Sequence, residues 1–275
     1  MGGMNNNRGS FIIGFMLIIL IWFILGQIFV DLSYRLFSSQ FLSSQPGRFL
    51  LMHLNFLSMA LGLAAVVRYV HSSSMTEFIR EGENIRYGRI LLGFASYLPF
   101  LVIGTLFSHV FSTARIAYAF NPTAFFSLLP VVLIFTPLQS TVEELVFRAY
   151  IGRGLRMNRM PVFGISIISG FLFLLLHLTN PEVSAYGSQP FLYIYYFLFG
   201  AAMMALGLSD GGFELPIGIH CANNLFTVLI VNYPSTAIPS APIFLASHPA
   251  PLASTIVLTA GVVTIAALFI FSRHD

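Results

Sequence analysis

Apolar residues in this chain gather into long runs, with charges confined largely to their edges. Eight such runs lie at 11–30, 49–68, 90–111, 124–148, 162–178, 190–209, 215–232 and 252–271. A bilayer core about 30 Å thick needs about 20 mainly apolar residues per helix, so each run is predicted to be a membrane-spanning helix. The predicted fold class is all-α, a polytopic transmembrane helical bundle of about eight spans. The first run is too long for the apolar region of a cleaved signal peptide and has no small-residue cleavage site, so it reads as a retained helix. The start M-G-G-M-N-N lacks the Ser or Thr of a myristoylation signal, so no lipid anchor is expected. The longest polar stretches, 31–48, 71–89 and 233–251, leave no room for a folded domain outside the membrane.

With eight spans both termini lie on one face, and the arginines then divide unequally. Arg8, Arg68, Arg80, Arg86, Arg89, Arg153, Arg156, Arg159 and Arg273 fall on the terminal face, against Arg35, Arg48 and Arg115 opposite. Basic residues are retained in the cytoplasm, so both termini are predicted to be cytoplasmic. The composition agrees with a membrane protein: 57% of residues are hydrophobic, 8% are charged and the mean hydropathy is +0.84. It excludes a disordered chain, a nucleic-acid partner and a disulfide scaffold, since Cys221 stands alone. All thirteen basic residues are Arg. Without lysine, neither a Ser-Lys protease nor Schiff-base chemistry is available.

Ionisable groups inside a span are costly, and each is a functional candidate. Glu143, Glu144 and Arg148 end the fourth run, His177 ends the fifth and His220 lies in the seventh. Glu144 and Arg148, at i and i+4, can neutralise one another as plain structure. Glu143 points about 100° away and has no such local partner. Phe173 and His177 share one helical face, as do His220 and Asn224. Each histidine alone would ordinarily be a hydrogen-bonded core residue. Two carboxylates, two histidines, an arginine and an asparagine on three apolar segments are harder to explain as separate accidents. At about 1.5 Å per residue, Glu143, His177 and His220 sit at unequal depths from the arginine-rich face. They become level if the fourth and fifth helices protrude past that face, which would place the site in the cytoplasmic half.

A carboxylate beside a neutral imidazole can hold a water and take its proton, while a second histidine and an asparagine amide can donate to a developing oxyanion. That is a hydrolase's layout. The chain has no H-E-x-x-H helix, no aspartate within a run and no G-x-S-x-G, which disfavours zinc-helix, aspartyl and familiar serine designs.

Glu143-Glu144-Leu-Val-Phe-Arg148, Phe173-Leu-Leu-Leu-His177 and His220-Cys-Ala-Asn-Asn224 resemble, in order and spacing, the E-E-x-x-x-R, F-x-x-x-H and H-x-x-x-N motifs of the CPBP or Abi group, which includes the type II CAAX prenyl endopeptidases. The resemblance covers roughly 127–232. It implies an all-helical membrane protease with a cavity reached from the cytosol, a catalytic core at 124–232, N-terminal transmembrane helices at 1–123, and a loop with the last helix at 233–275. It implies that Glu143 and His177 activate water, that His220 and Asn224 form the oxyanion side, and that Glu144 and Arg148 support them. A metal-free, glutamate-dependent site with no cofactor is favoured; the alternative is a divalent metal such as zinc on Glu143, His177 and His220. The expected partners are membrane lipid and a peptide or protein substrate, prenylated or not, with CAAX-type tripeptide removal as one form of the activity. A non-catalytic immunity or binding protein on the same fold and a proton-coupled transporter are the rival readings.

Other polar residues read as ordinary. His53 with Asn55, and His109, are expected to make helix–helix or interfacial contacts. The mixed cluster Glu77, Arg80, Glu81, Glu83, Arg86 and Arg89 is expected to be a surface segment on the cytoplasmic side. Cys221 is expected to be a small packing residue, and Trp22 and the Tyr193, Tyr195 and Tyr196 group to fill space without a cofactor.

Overall fold

The computed structural model describes residues 7–80, 84–157 and 159–269. The start at 1–6 that was read for a lipid anchor, together with Glu81, Glu83 and Arg273, lies outside the described residues. All eight apolar runs are helical over most of their described length. They form α1 (Arg8–Leu36), α3 (Gln45–Ala65), α5 (Tyr87–Phe111), α6 (Pro122–Glu144), α8 (Val162–His177), α10 (Pro190–Asp210), α11 (Glu214–Leu229) and α12 (Pro251–Phe269). Short helices α2 (Ser39–Ser43), α4 (Met75–Ile79), α7 (Ile151–Arg156) and α9 (Pro181–Tyr186) sit between them. Two π-helical turns, Val66–Val70 and Leu145–Tyr150, extend α3 and α6. Counting those extensions, six helices among the described residues are long and apolar enough to cross a membrane. The runs at 162–178 and 215–232 fold as helices of 16 residues each, shorter than a full crossing needs. The protein is thus a multi-pass membrane bundle in which two of the eight predicted spans are short.

Local chemistry sets where these helices start. Ser44 caps α3 by accepting from Gly47 N, and Asn121 caps α6 by accepting from Ala124 N just before Pro122, whose missing N–H costs nothing at a first helical position. In α5 only 17% of the most apolar window is buried inside the protein, and Leu91, Ile103 and Val110 stand exposed, as lipid-facing residues do. Between helices, lipid supplies no hydrophobic drive, so small residues that admit close backbones matter. Where α5 crosses α11, a Cβ on Gly218 would lie 2.1 Å from Ile90 O and one on Gly93 would lie 2.4 Å from Leu215 O.

The two ends of the bundle differ. At the end where α1 begins and α12 finishes, Phe213 N donates to Ile79 O, His71 Nε2 lies 2.8 Å from Tyr150 Oη, and Arg86 and Arg89 pair with Asp210. The predicted surface segment is therefore folded against the bundle, and Arg89 is buried. At the other end, β1 (Ile116–Tyr118), β2 (Val231–Asn232) and β3 (Phe244–Ala246) form a small sheet in the order β1-β3-β2, antiparallel and then parallel. The stretch 233–251, read as a loop, supplies β3. No helical period could announce a three-residue strand whose antiparallel partner lies more than a hundred residues away.

Candidate active site

Glu143 and Glu144 are the last residues of α6 and lead directly into the π-helical turn Leu145–Tyr150 that carries Arg148. A π turn widens the helix and shifts side-chain register, a device often found at functional sites. Here Glu143 faces a cavity while Glu144 and Arg148 are fully buried. Glu144 Oε1 accepts the Nδ1–H of His220 at 2.7 Å and lies 3.4 Å from Arg148 Nη1. The predicted pairing at i and i+4 exists, but it is shared with a histidine 76 residues away. Donation from Nδ1 turns the His220 Nε2 edge towards Glu143, whose Oε2 is 3.9 Å distant.

Phe173 is the packing hub. Its ring lies under the Arg148 guanidinium at 4.2 Å, 4.0 Å from the His177 ring and 6.3 Å from that of His220. His177 donates Nδ1–H to Phe173 O at 2.7 Å, so a neutral ring presents Nε2 as an acceptor. Asn224 donates Nδ2–H to Ser140 Oγ at 3.2 Å, one helical turn before the glutamates. The structure thus gathers the three motifs around one cavity of about 480 Å³ that Glu143, His177, His220 and Asn224 all line.

Sequence reasoning missed some residues here and undervalued another. Gln139 donates Nε2–H to Glu143 Oε1 at 3.0 Å, and its Oε1 lies 3.0 Å from Nε2 of His53, which is itself held by Phe49 O at 2.8 Å. His53 is the helix–helix contact expected of it, and it is also the outer link of a chain that fixes the carboxylate of Glu143. The position of Gln139 one turn before Glu143 was the available signal. Glu182, buried at 2% exposure, also lines the cavity, as do Asn180 and Tyr196. Cys221 is buried and His109 is exposed, both as expected.

The cavity's direction departs from expectation. It is lined by Ile116, Tyr233, Thr236, Ala246, His248 and Pro249 of the sheet-bearing end, and by no described residue of the loops at 71–86, 157–161 or 211–213. His177, at the far end of α8 from the arginine-rich face, explains this. The site lies towards the sheet-bearing end of the bundle. As for a metal, no group of three or more His, Cys, Asp or Glu among the described residues converges as a ligand set. Glu143, His177 and His220 do not fit a three-ligand centre.

Residues 123–226 match the family described as Type II CAAX prenyl endopeptidase Rce1-like. Among curated proteins, the uncharacterized protein YyaK of Bacillus subtilis (strain 168) is 28% identical over 183 residues, 66% of this chain and 60% of that protein. The chain therefore spans less than two thirds of that relative. No solved structure matches. A CAAX-protease-like domain is detected over 123–226.

Proposed function

We propose that this chain, with its CAAX-protease-like domain at 123–226, is an intramembrane endopeptidase that activates water with Glu143 and His177. The observation that carries the reading is the convergence of three sequence-distant motifs on one cavity, with His220 held between two glutamates. Glu143 Oε2 takes a proton from water while the Nε2 acceptor of His177 orients it. The hydroxide adds to the peptide carbonyl, and the oxyanion faces His220 Nε2 and the Asn224 amide. With Nδ1–H given to Glu144, His220 donates through Nε2 as an imidazolium that keeps both its protons through the cycle, its charge offset by Glu144. Glu143 then passes its proton to the departing amine, so one water and one peptide bond become a carboxylic acid and an amine. Glu144 and Arg148 hold His220 in place.

The bundle is read as eight traversals, the short α8 and α11 included. Loop contacts support this, because the loops expected on each face touch one another at that end. With the arginine-rich end in the cytoplasm, the cavity opens towards the other face. That direction favours a peptide presented at the non-cytoplasmic surface over a prenylated cytosolic C-terminus. Incubating purified protein and Glu143→Gln with labelled peptides, prenylated and not, and weighing the products tests both points. Cleavage by the wild type and loss of about a thousandfold in the variant are expected. Equal products from both, or proton-coupled uptake in proteoliposomes with no cleavage, would contradict the reading.

A further inference from the structure

Beyond the water-activating groups, the cavity holds a second polar cluster. The His177 ring stacks on Tyr196 with centroids 4.5 Å apart. Tyr196 donates its hydroxyl hydrogen to Glu182 Oε1, and Asn180 Nδ2 donates to the same oxygen at 3.0 Å. Glu182 Oε2, equally buried, has no hydrogen-bond partner among the described residues. Leaving a carboxylate oxygen unpaired in a low-dielectric interior is costly, and structure alone gives no reason for the arrangement. Tyr195 and Tyr233 line the same part of the cavity and add aromatic faces. A half-satisfied carboxylate among tyrosine rings is suited to a cation, through charge-assisted hydrogen bonds and ring attraction.

We infer that Glu182, with Tyr196, forms a subsite for a positively charged group of the substrate, the guanidinium or ammonium of an Arg or Lys side chain. This rests on the peptidase reading for its substrate, though not for the cation. Only the Tyr196 ring separates the subsite from His177, so the charged residue lies within about three residues of the scissile bond at about 3.3 Å per residue of extended peptide. The same carboxylate repels a free C-terminal carboxylate, which sets this subsite against a substrate cut close to its own C-terminus.

The test uses the full-length protein in phosphatidylglycerol vesicles. Nα-acetyl-arginine amide and its neutral isostere Nα-acetyl-citrulline amide are titrated against the wild type and Glu182→Gln, read by the fluorescence of Trp22, the single tryptophan, which also lines the cavity. In parallel, peptides bearing Arg or citrulline beside the cleaved bond are digested. Expected are about tenfold tighter binding and faster cleavage of the arginine forms by the wild type, with the difference lost in Glu182→Gln. The wild-type comparison stands even if the variant fails to fold. Glu182-dependent binding of Nα-acetyl-arginine amide with no peptide cut would retain the subsite and overturn the peptidase. Cleavage without preference for arginine would overturn the subsite and leave the peptidase. Displacement of Nα-acetyl-arginine amide by added phosphatidylethanolamine, with no charge preference among peptides, would assign the subsite to a lipid amine and also overturn the proposal.

Discussion

Two buried charge clusters in this protein treat their arginines in opposite ways. At the terminal end, the Arg86 guanidinium makes four hydrogen bonds. Its Nη2 meets Asp210 Oδ2 at 2.8 Å and Glu214 Oε2 at 2.6 Å, its Nε donates to Glu214 Oε1 at 3.1 Å and its Nη1 to Asp210 O at 3.2 Å. Hydrogen bonding to Glu214 holds its guanidinium above the ordinary arginine range. Arg89 adds a link to Asp210 and one to Phe269 O, so α5, α10, α11 and α12 are tied at one point. In the site, Arg148 is fully buried, yet its Nε, Nη1 and Nη2 make no hydrogen bond among the described residues. It has the 3.4 Å approach of Glu144 and the face of Phe173. Glu144 Oε2 is likewise without a partner among the described residues. The terminal cluster pairs most of its donors, Arg80 Nε with its 3.9 Å approach to Glu214 excepted, because each unpaired buried group costs stability. The site leaves groups unsatisfied and points its remaining edges at a cavity.

The largest effect that sharpens this contrast comes from the site. Glu144→Leu removes the acceptor that orients His220 and the charge beside Arg148. Cleavage should fall about a hundredfold. Because Arg148 would be left buried and uncompensated, stability should drop by about 3 kcal/mol, measured as a lowered unfolding midpoint in detergent. Asp210→Asn comes next. It should lower stability by about 2 kcal/mol while the folded fraction cleaves at the wild-type rate, and a matching loss of kcat would break the distinction between the clusters. His53→Leu and Gln139→Leu should each lower kcat about tenfold with KM little changed, since they loosen Glu143 without touching substrate. Cys221→Ser should change activity by less than about twofold, because its thiol packs near Pro137 O and faces no reacting group.

The helices were legible from the chain because bilayer thickness imposes one length and one composition on every span. The motifs were legible because three spacings recurred in order on adjacent apolar segments. The depth of the site was not, since it depends on how α8 and α11 tilt and on where His177 ends its helix. Glu182 was missed for a different reason. It stands in Asn-Pro-Glu, in a stretch that reads as an interhelical loop, and only the folded chain turns it inward beneath Tyr196. His53 looked like a routine polar contact because Gln139, its partner, is neutral and 86 residues away. The arginine cluster at 80–89 looked like a solvated surface because Asp210 and Glu214 become its partners only through the turn at Gly211, whose φ of +68° suits glycine.

The central claim is that Glu143 activates water for peptide hydrolysis using the protein's own groups. It is tested most directly by digesting a peptide in heavy-oxygen water after exhaustive chelation, with wild type and Glu143→Gln side by side, and weighing the products. The account expects the wild type to retain full activity and place one heavy oxygen in the new carboxyl terminus, with no product from the variant above background. Activity lost on chelation and restored only by zinc, or labelled product formed equally by Glu143→Gln, would contradict it.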